Sequence, residues 1–274
     1  MTHDMTALAG LAAALLAAGV VAGILAGLLG VGGGIVLVPV LFYVFSALGV
    51  SPEVKMHMAV GTSLMSMIPT SIRSALAHRK HGAVDEDLLR RWAGPAFAGA
   101  VAGILIAAWA KGPVLMAIFA VFASLAALHM AFGKESWRLA SQLPSRVGQS
   151  VMAFVIACVS VMMGIGGGTF TVPTLTLFGY PIHRAVGTAA AIGVLIAVPG
   201  AIGFALSGLG AADRPAYSLG YASLLGVALI VPSTFIAAPW GATLAHRLDR
   251  VWLRRAFAVF LGATGVKMAL NLLR

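Results

Sequence analysis

The sequence predicts an all-α polytopic membrane protein made of two inverted-topology repeats of about five transmembrane segments each, with short Gly-broken helices. Three observations lead there. First, 60% of the 274 residues are hydrophobic and 9% are charged, and the apolar stretches outrun any soluble core. Met5 to Pro52 is 48 residues without Asp, Glu, Lys or Arg, and Val147 to Ile182 is 36. As straight helices these would be about 72 and 54 Å long against about 30 Å of hydrocarbon, so each turns back at or within the membrane. Second, three blocks recur in the same order: "GVGGGIVLVP" from Gly30 and "GIGGGTFTVP" from Gly164, "AVGTS" from Ala59 and "AVGTA" from Ala185, "FAVF" from Phe119 and from Phe257. Such recurrence marks a duplicated unit, and five segments per unit, an odd number, insert the second copy upside down. Third, ten crossings place 13 Lys and Arg on one side and 4 on the other, with Lys267 inside the last segment. The positive-inside rule then puts both termini outside the cytoplasm.

The first repeat, 1–133, holds segments at Met5 to Leu28, Ile35 to Leu48, Met56 to Leu76, Trp92 to Ala110 and Pro113 to Phe132. The opening "MTHDM" has an acid and no Lys or Arg, which does not fit a cleavable signal, so segment 1 reads as a retained span. Between segments 3 and 4, "HRKHGAVDEDLLRR" reads as a solvated, partly helical surface. Residues 134–146 form a polar cytoplasmic linker. The second repeat, 147–274, holds segments at Val147 to Met163, Thr169 to Tyr180, Ala185 to Ser207, Tyr217 to Ala245 and Val251 to Leu273.

Segments 2 and 7 are too short to cross alone, about 21 and 18 Å of helix. The glycine runs supply the missing depth, so non-helical backbone lies inside the membrane, where it is tolerated only if buried in protein or lining an aqueous cavity. The free N–H groups and dipole ends of the helices that follow favour an anion. The candidate anion-contacting residues are therefore Gly32, Gly33, Gly34 and Ile35 in the first repeat, and Gly166, Gly167, Gly168 and Thr169 in the second. The competing reading is close helix packing by small residues. Gly61, Thr62 and Ser63, with Gly187 and Thr188, add hydroxyls beside glycines, and intrahelical bonding of those hydroxyls is the alternative. His57 and His183 precede each "AVGT" at the same offset and, with Arg184, are candidates for gating or proton relay; interfacial anchoring competes. Pro39 and Pro173 are expected to kink segments 2 and 7. Arg73 and Lys267 could attract an anion, though snorkelling accounts for both.

Several function classes are disfavoured. The net charge of +10 sits in short loops rather than on a basic domain, so nucleic acid is not an expected partner. No Lys-Ser or Lys-Thr follows either glycine run, which removes the phosphate-binding loop, and no catalytic constellation is found. Neither an enzyme activity nor a cofactor is expected. All eight acids fall in the terminus or loops, which argues against a cation as cargo. The lone Cys158 excludes an intramolecular disulfide.

"GLLGVGGGIVLVPVL" with its echo "GIGGGTFTVPTLTLFG", followed by "AVGTS" and "AVGTA", resembles the TauE/SafE family of sulfite and organosulfur anion exporters over nearly the whole chain. That resemblance implies a multi-pass protein of the bacterial inner membrane whose cargo is a small inorganic or organosulfur anion, sulfite foremost. It assigns Gly30, Gly32 to Gly34, Pro39, Gly61 and Thr62 to one motif set, and Gly164, Gly166 to Gly168, Pro173, Gly187 and Thr188 to the other. The expected function is export by alternating access between the repeats; a gated anion channel and a non-transporting scaffold for a partner enzyme are the alternatives. The lipid bilayer is an expected partner, and a homodimer is a candidate assembly.

Overall fold

The computed structural model describes residues 5–29, 33–132, 138–244 and 250–272, and these form ten helices and one short hairpin. The helices are α1 (Met5–Leu29), α2 (Gly34–Ala47), α3 (Pro52–Lys80), α4 (Glu86–Trp109), α5 (Gly112–Phe132), α6 (Arg146–Met162), α7 (Gly168–Leu177), α8 (Ile182–Ser207), α9 (Leu224–Leu244) and α10 (Arg250–Leu272). All ten expected segments are helical, and the differences lie at their ends. Helix α4 starts six residues before Trp92 because Asp85 caps it, its Oδ1 accepting from Leu88 N at 3.0 Å. Helix α3 runs from a Ser51 cap through Lys80, so most of the expected polar loop is helix, with Arg79 Nε 2.8 Å from Glu86 Oε1.

Segment 9 was expected to begin at Tyr217, and here the structure departs from all-helical. Ser218–Leu219 (β1) and Ala222–Ser223 (β2) pair antiparallel, and α9 starts only at Leu224. Left-handed backbone at Tyr217 and Gly220 turns the chain there.

Among the described residues, four stretches are long and apolar enough to span a membrane: Ala9–Ala26 within α1, then α4, α5 and α8. Large apolar side chains stand exposed along α4, α5, α6, α9 and α10, among them Leu105, Leu125, Val151, Ile236 and Val259, as a lipid-facing surface requires. Helix α2 and the first two-thirds of α3 are instead mostly buried.

The packing partners cross between the halves. Helix α1 lies against α9 and α4 against α6; α3 lies against α8 and α5 against α10. Within each half, α2 packs on α3 and α7 on α8. The centre of the molecule is thus the α3–α8 pair, with the two short helices alongside it.

Candidate functional site

The two glycine runs meet near this centre. Gly33 precedes α2 with φ 69°, and its carbonyl accepts from Val36 N and Leu37 N at 3.1 and 3.2 Å. Gly164 holds φ 68°, and a Cβ added there would lie 2.9 Å from Val60 Cα and 2.8 Å from Val38 Cγ2. Left-handed backbone and that proximity both demand glycine. Gly34 touches the second run directly: its Cβ would fall 2.5 Å from Gly164 O and 3.1 Å from Ile165 Cα. Ser63 fastens the junction by donating to Gly164 O at 2.8 Å. Gly33, Gly34 and Ile35 are buried; Gly32 lies outside the described residues.

The "VGT" motifs have a common use in the fold. Thr62 Oγ1 accepts from Ser223 N, and Thr188 Oγ1 accepts from Asp85 N, both at 2.9 Å. Ser223 and Asp85 stand immediately before α9 and α4, and each side chain accepts from the N–H three residues on. Beside the threonines, Gly61 abuts the carbonyl of Tyr221, and Gly187 that of Ala83. In both halves glycine lets the incoming chain approach and threonine satisfies its amide, so α3 docks the start of α9 and α8 the start of α4, each the fourth helix of the opposite half. These hydroxyls therefore bond neither within their own helix nor into open space.

Open space is found instead at the start of α7. A narrow cleft with a free volume of about 10 Å³, the room one water takes, is lined by Gly166, Gly167 and Gly168, by Thr70, Ser71 and Ser74 of α3, by Ala189, Ala190 and Gly193 of α8, and by Ala26. Ser71 is 4% exposed, and its hydroxyl makes no hydrogen bond among the described residues. Thr169, in the first turn of α7, is buried with Oγ1 unpaired but stands outside the cleft lining. The first amides of a helix lack intrahelical acceptors, so the cleft offers N–H groups, hydroxyls and the positive end of a helix dipole. No charged side chain lines it among the described residues. Such a donor set suits a small anion.

Of the sequence candidates, Gly166 to Gly168 line the cleft; Gly61, Thr62, Gly187 and Thr188 are engaged in docking, and Ser63 in joining the runs. Sequence reasoning missed Thr70, Ser71, Ser74 and Gly193. The signal was present in the spacing of Ser63, Ser66, Thr70 and Ser74, which places hydroxyls along one face of α3.

The histidines diverge. His57 is buried, with Nε2 3.1 Å from Ala107 O and its ring 4.8 Å from that of Tyr221, whereas His183 is exposed. Arg184 pairs with Asp85 Oδ2 at 3.1 Å, and Tyr180 donates to the same carboxylate. Burial alone would raise the Asp85 pKa, but the Tyr180 hydroxyl, the Leu88 amide and the Arg184 charge outweigh it and hold the carboxyl below its ordinary value. Burial and the bond to Asp85 push Tyr180 upward. The guanidinium of Arg73 covers the Phe235 ring at 4.0 Å, and Lys267 covers Tyr43 at 4.2 Å.

A family model described as sulfite exporter TauE/SafE matches residues 15–268. A probable membrane transporter protein of Haemophilus influenzae is 32% identical over 266 residues, covering 97% of this chain and 96% of the relative. Probable membrane transporter proteins of Methanocaldococcus jannaschii and Bacillus subtilis are each 26% identical, over 88% and 85% of this chain and 89% of each relative. No solved structure matches the chain.

Proposed function

The chain belongs to the sulfite exporter TauE/SafE family, a family of multi-pass membrane transporters and not of enzymes, and from that premise we propose that it exports a small sulfur-containing oxyanion, sulfite foremost, from the cytoplasm. The observation that carries this reading is the cleft at the start of α7, where glycine amides, buried hydroxyls and a helix N-terminus converge without a carboxylate. The second part of the reading is alternating access between two inverted repeats, 1–133 and 147–274. Exchanging α1 with α6, α2 with α7, and so on to α5 with α10, turns the α1–α9 pair into α6–α4 and α2–α3 into α7–α8, and leaves α3–α8 and α5–α10 unchanged. That pattern supports halves related by a two-fold axis. With the side richer in Lys and Arg facing the cytoplasm, this reading places both termini outside it.

A glycine-lined cleft weighs for a conducting role over a scaffold that only positions a partner. Proteoliposomes separate the readings. We expect sulfite flux from the wild type, and its loss in Gly167→Leu, whose new side chain would start 3.1 Å from Ile192 Cγ2 and 3.2 Å from Gly193 N. Wild-type vesicles that pass no sulfite, sulfonate or thiosulfate would overturn export. Flux without counter-transport or proton coupling would favour a channel.

A further inference from the structure

The two glycine runs are nearly the same as sequence but have different surroundings. Superposing "AVGTS" on "AVGTA" sets Met67 of α3 opposite Gly193 of α8, and Thr70, Ser71 and Ser74 opposite Ile196, Ala197 and Gly200. At α7 the small residue leaves room: a Cβ on Gly193 would lie 3.6 Å from Gly167 N and 3.7 Å from Ser71 Oγ, ordinary contact distances. At α2 the corresponding place is filled. Met67 is 1% exposed, with Sδ 2.5 Å from where a Cβ on Gly34 would sit. Ser63 is already committed to Gly164 O. The second half also has no counterpart to the α3 hydroxyls, because Ile196, Ala197 and Gly200 occupy those positions.

One observation beyond the helix end points to a ligand at α7 and not at α2. Ser71 is almost completely buried, lines the cleft and turns toward Gly193 a hydroxyl with no hydrogen bond among the described residues. A nearly enclosed hydroxyl without a protein partner is uncommon, and an oxyanion bound in the cleft would satisfy it.

We propose that the duplicated motifs have diverged into one anion site and one plug. The site is formed by Gly166–Gly168 of the second repeat with Ser71 and Ser74 of the first, beside Thr70, whose hydroxyl donates to Thr234 Oγ1 at 3.4 Å. Gly193 sets its size, and Met67 closes the related position beside Gly33–Ile35. The ligand is a small oxyanion held by neutral donors alone. This deepens the transport reading and rests on it for the identity of the cargo.

Equilibrium binding of radiolabelled sulfite to the purified full chain, beside flux in proteoliposomes, tests the proposal. Binding should saturate near one anion per chain. Ser71→Ala should weaken it by at least about tenfold, the scale of one lost hydrogen bond to a charged group. Gly193→Ala, which the fold accommodates, should lower flux by at least about tenfold at unchanged thermal stability, whereas Met67→Leu, which keeps the plug, should stay within about twofold of wild type. Two anions per chain would overturn the asymmetry, as would wild-type behaviour of both Ser71→Ala and Gly193→Ala. A wild type that binds one anion but passes none would overturn transport and leave the single site standing; one that binds none would overturn both.

Discussion

At the scale of single residues, the most consequential contacts are those of Thr62 and Thr188. Each hydroxyl is the acceptor for a backbone amide just before the fourth helix of the opposite half, α9 for Thr62 and α4 for Thr188, and neither residue is exposed at all. Replacing threonine with valine keeps the shape and removes the acceptor, leaving a buried N–H without a partner. Thr62→Val and Thr188→Val should each destabilise the fold by about 1 to 3 kcal/mol, read as a lower thermal midpoint in detergent. The sequence showed that the two threonines were equivalent, because they sit in duplicated motifs, but it could not show what they bond. Their partners, Ser223 and Asp85, are 161 and 103 residues away along the chain, a separation over which local pattern carries no information.

At the scale of elements, the α3–α4 and α7–α8 connections are held together by Asp85, Tyr180 and Arg184. A carboxyl whose folded pKa is depressed contributes stability that is complete above its unfolded pKa, about 3.9, and that is lost as pH falls through the lower folded value. The Asp85 contribution to thermal stability should therefore be constant from pH 7 to about 5 and decline toward pH 3, and Asp85→Asn should remove that part of the acid limb. A wild-type acid limb in the variant would show that other carboxylates govern it. Elements were also where sequence reading did best and worst. Helices α2 and α7 were legible because a glycine run, a proline and a length too short for a bilayer recur together. The hairpin before α9 was not, because "YSLGYAS" at Tyr217 has no charge or proline to set it off from the apolar run that follows, and backbone geometry at Tyr217 and Gly220 makes the turn. The hydroxyl face of α3 went unread for another reason: each Ser or Thr, taken singly, is as well explained by a bond to its own helix, as Ser66 does make to Thr62 O at 2.8 Å.

At the scale of the whole molecule, duplication was visible in the order of the motifs, but the exchange of partners between halves was not. That exchange bears on how the protein is made. Helix α1 packs on α9, which begins at Leu224, and α4 packs on α6. When the first five helices have left the ribosome, four of them, α1, α3, α4 and α5, still lack the surfaces they are shaped to meet, so the amino-terminal half waits in the bilayer as an open assembly. Neither half is then a unit that matures by itself. Coexpressed as separate chains cut within 134–146, the halves should reassemble and restore flux, while either half produced alone should be cleared by proteolysis, as pulse-chase labelling would follow. For this fold, biogenesis is closer to the mating of two subunits than to the stacking of two domains.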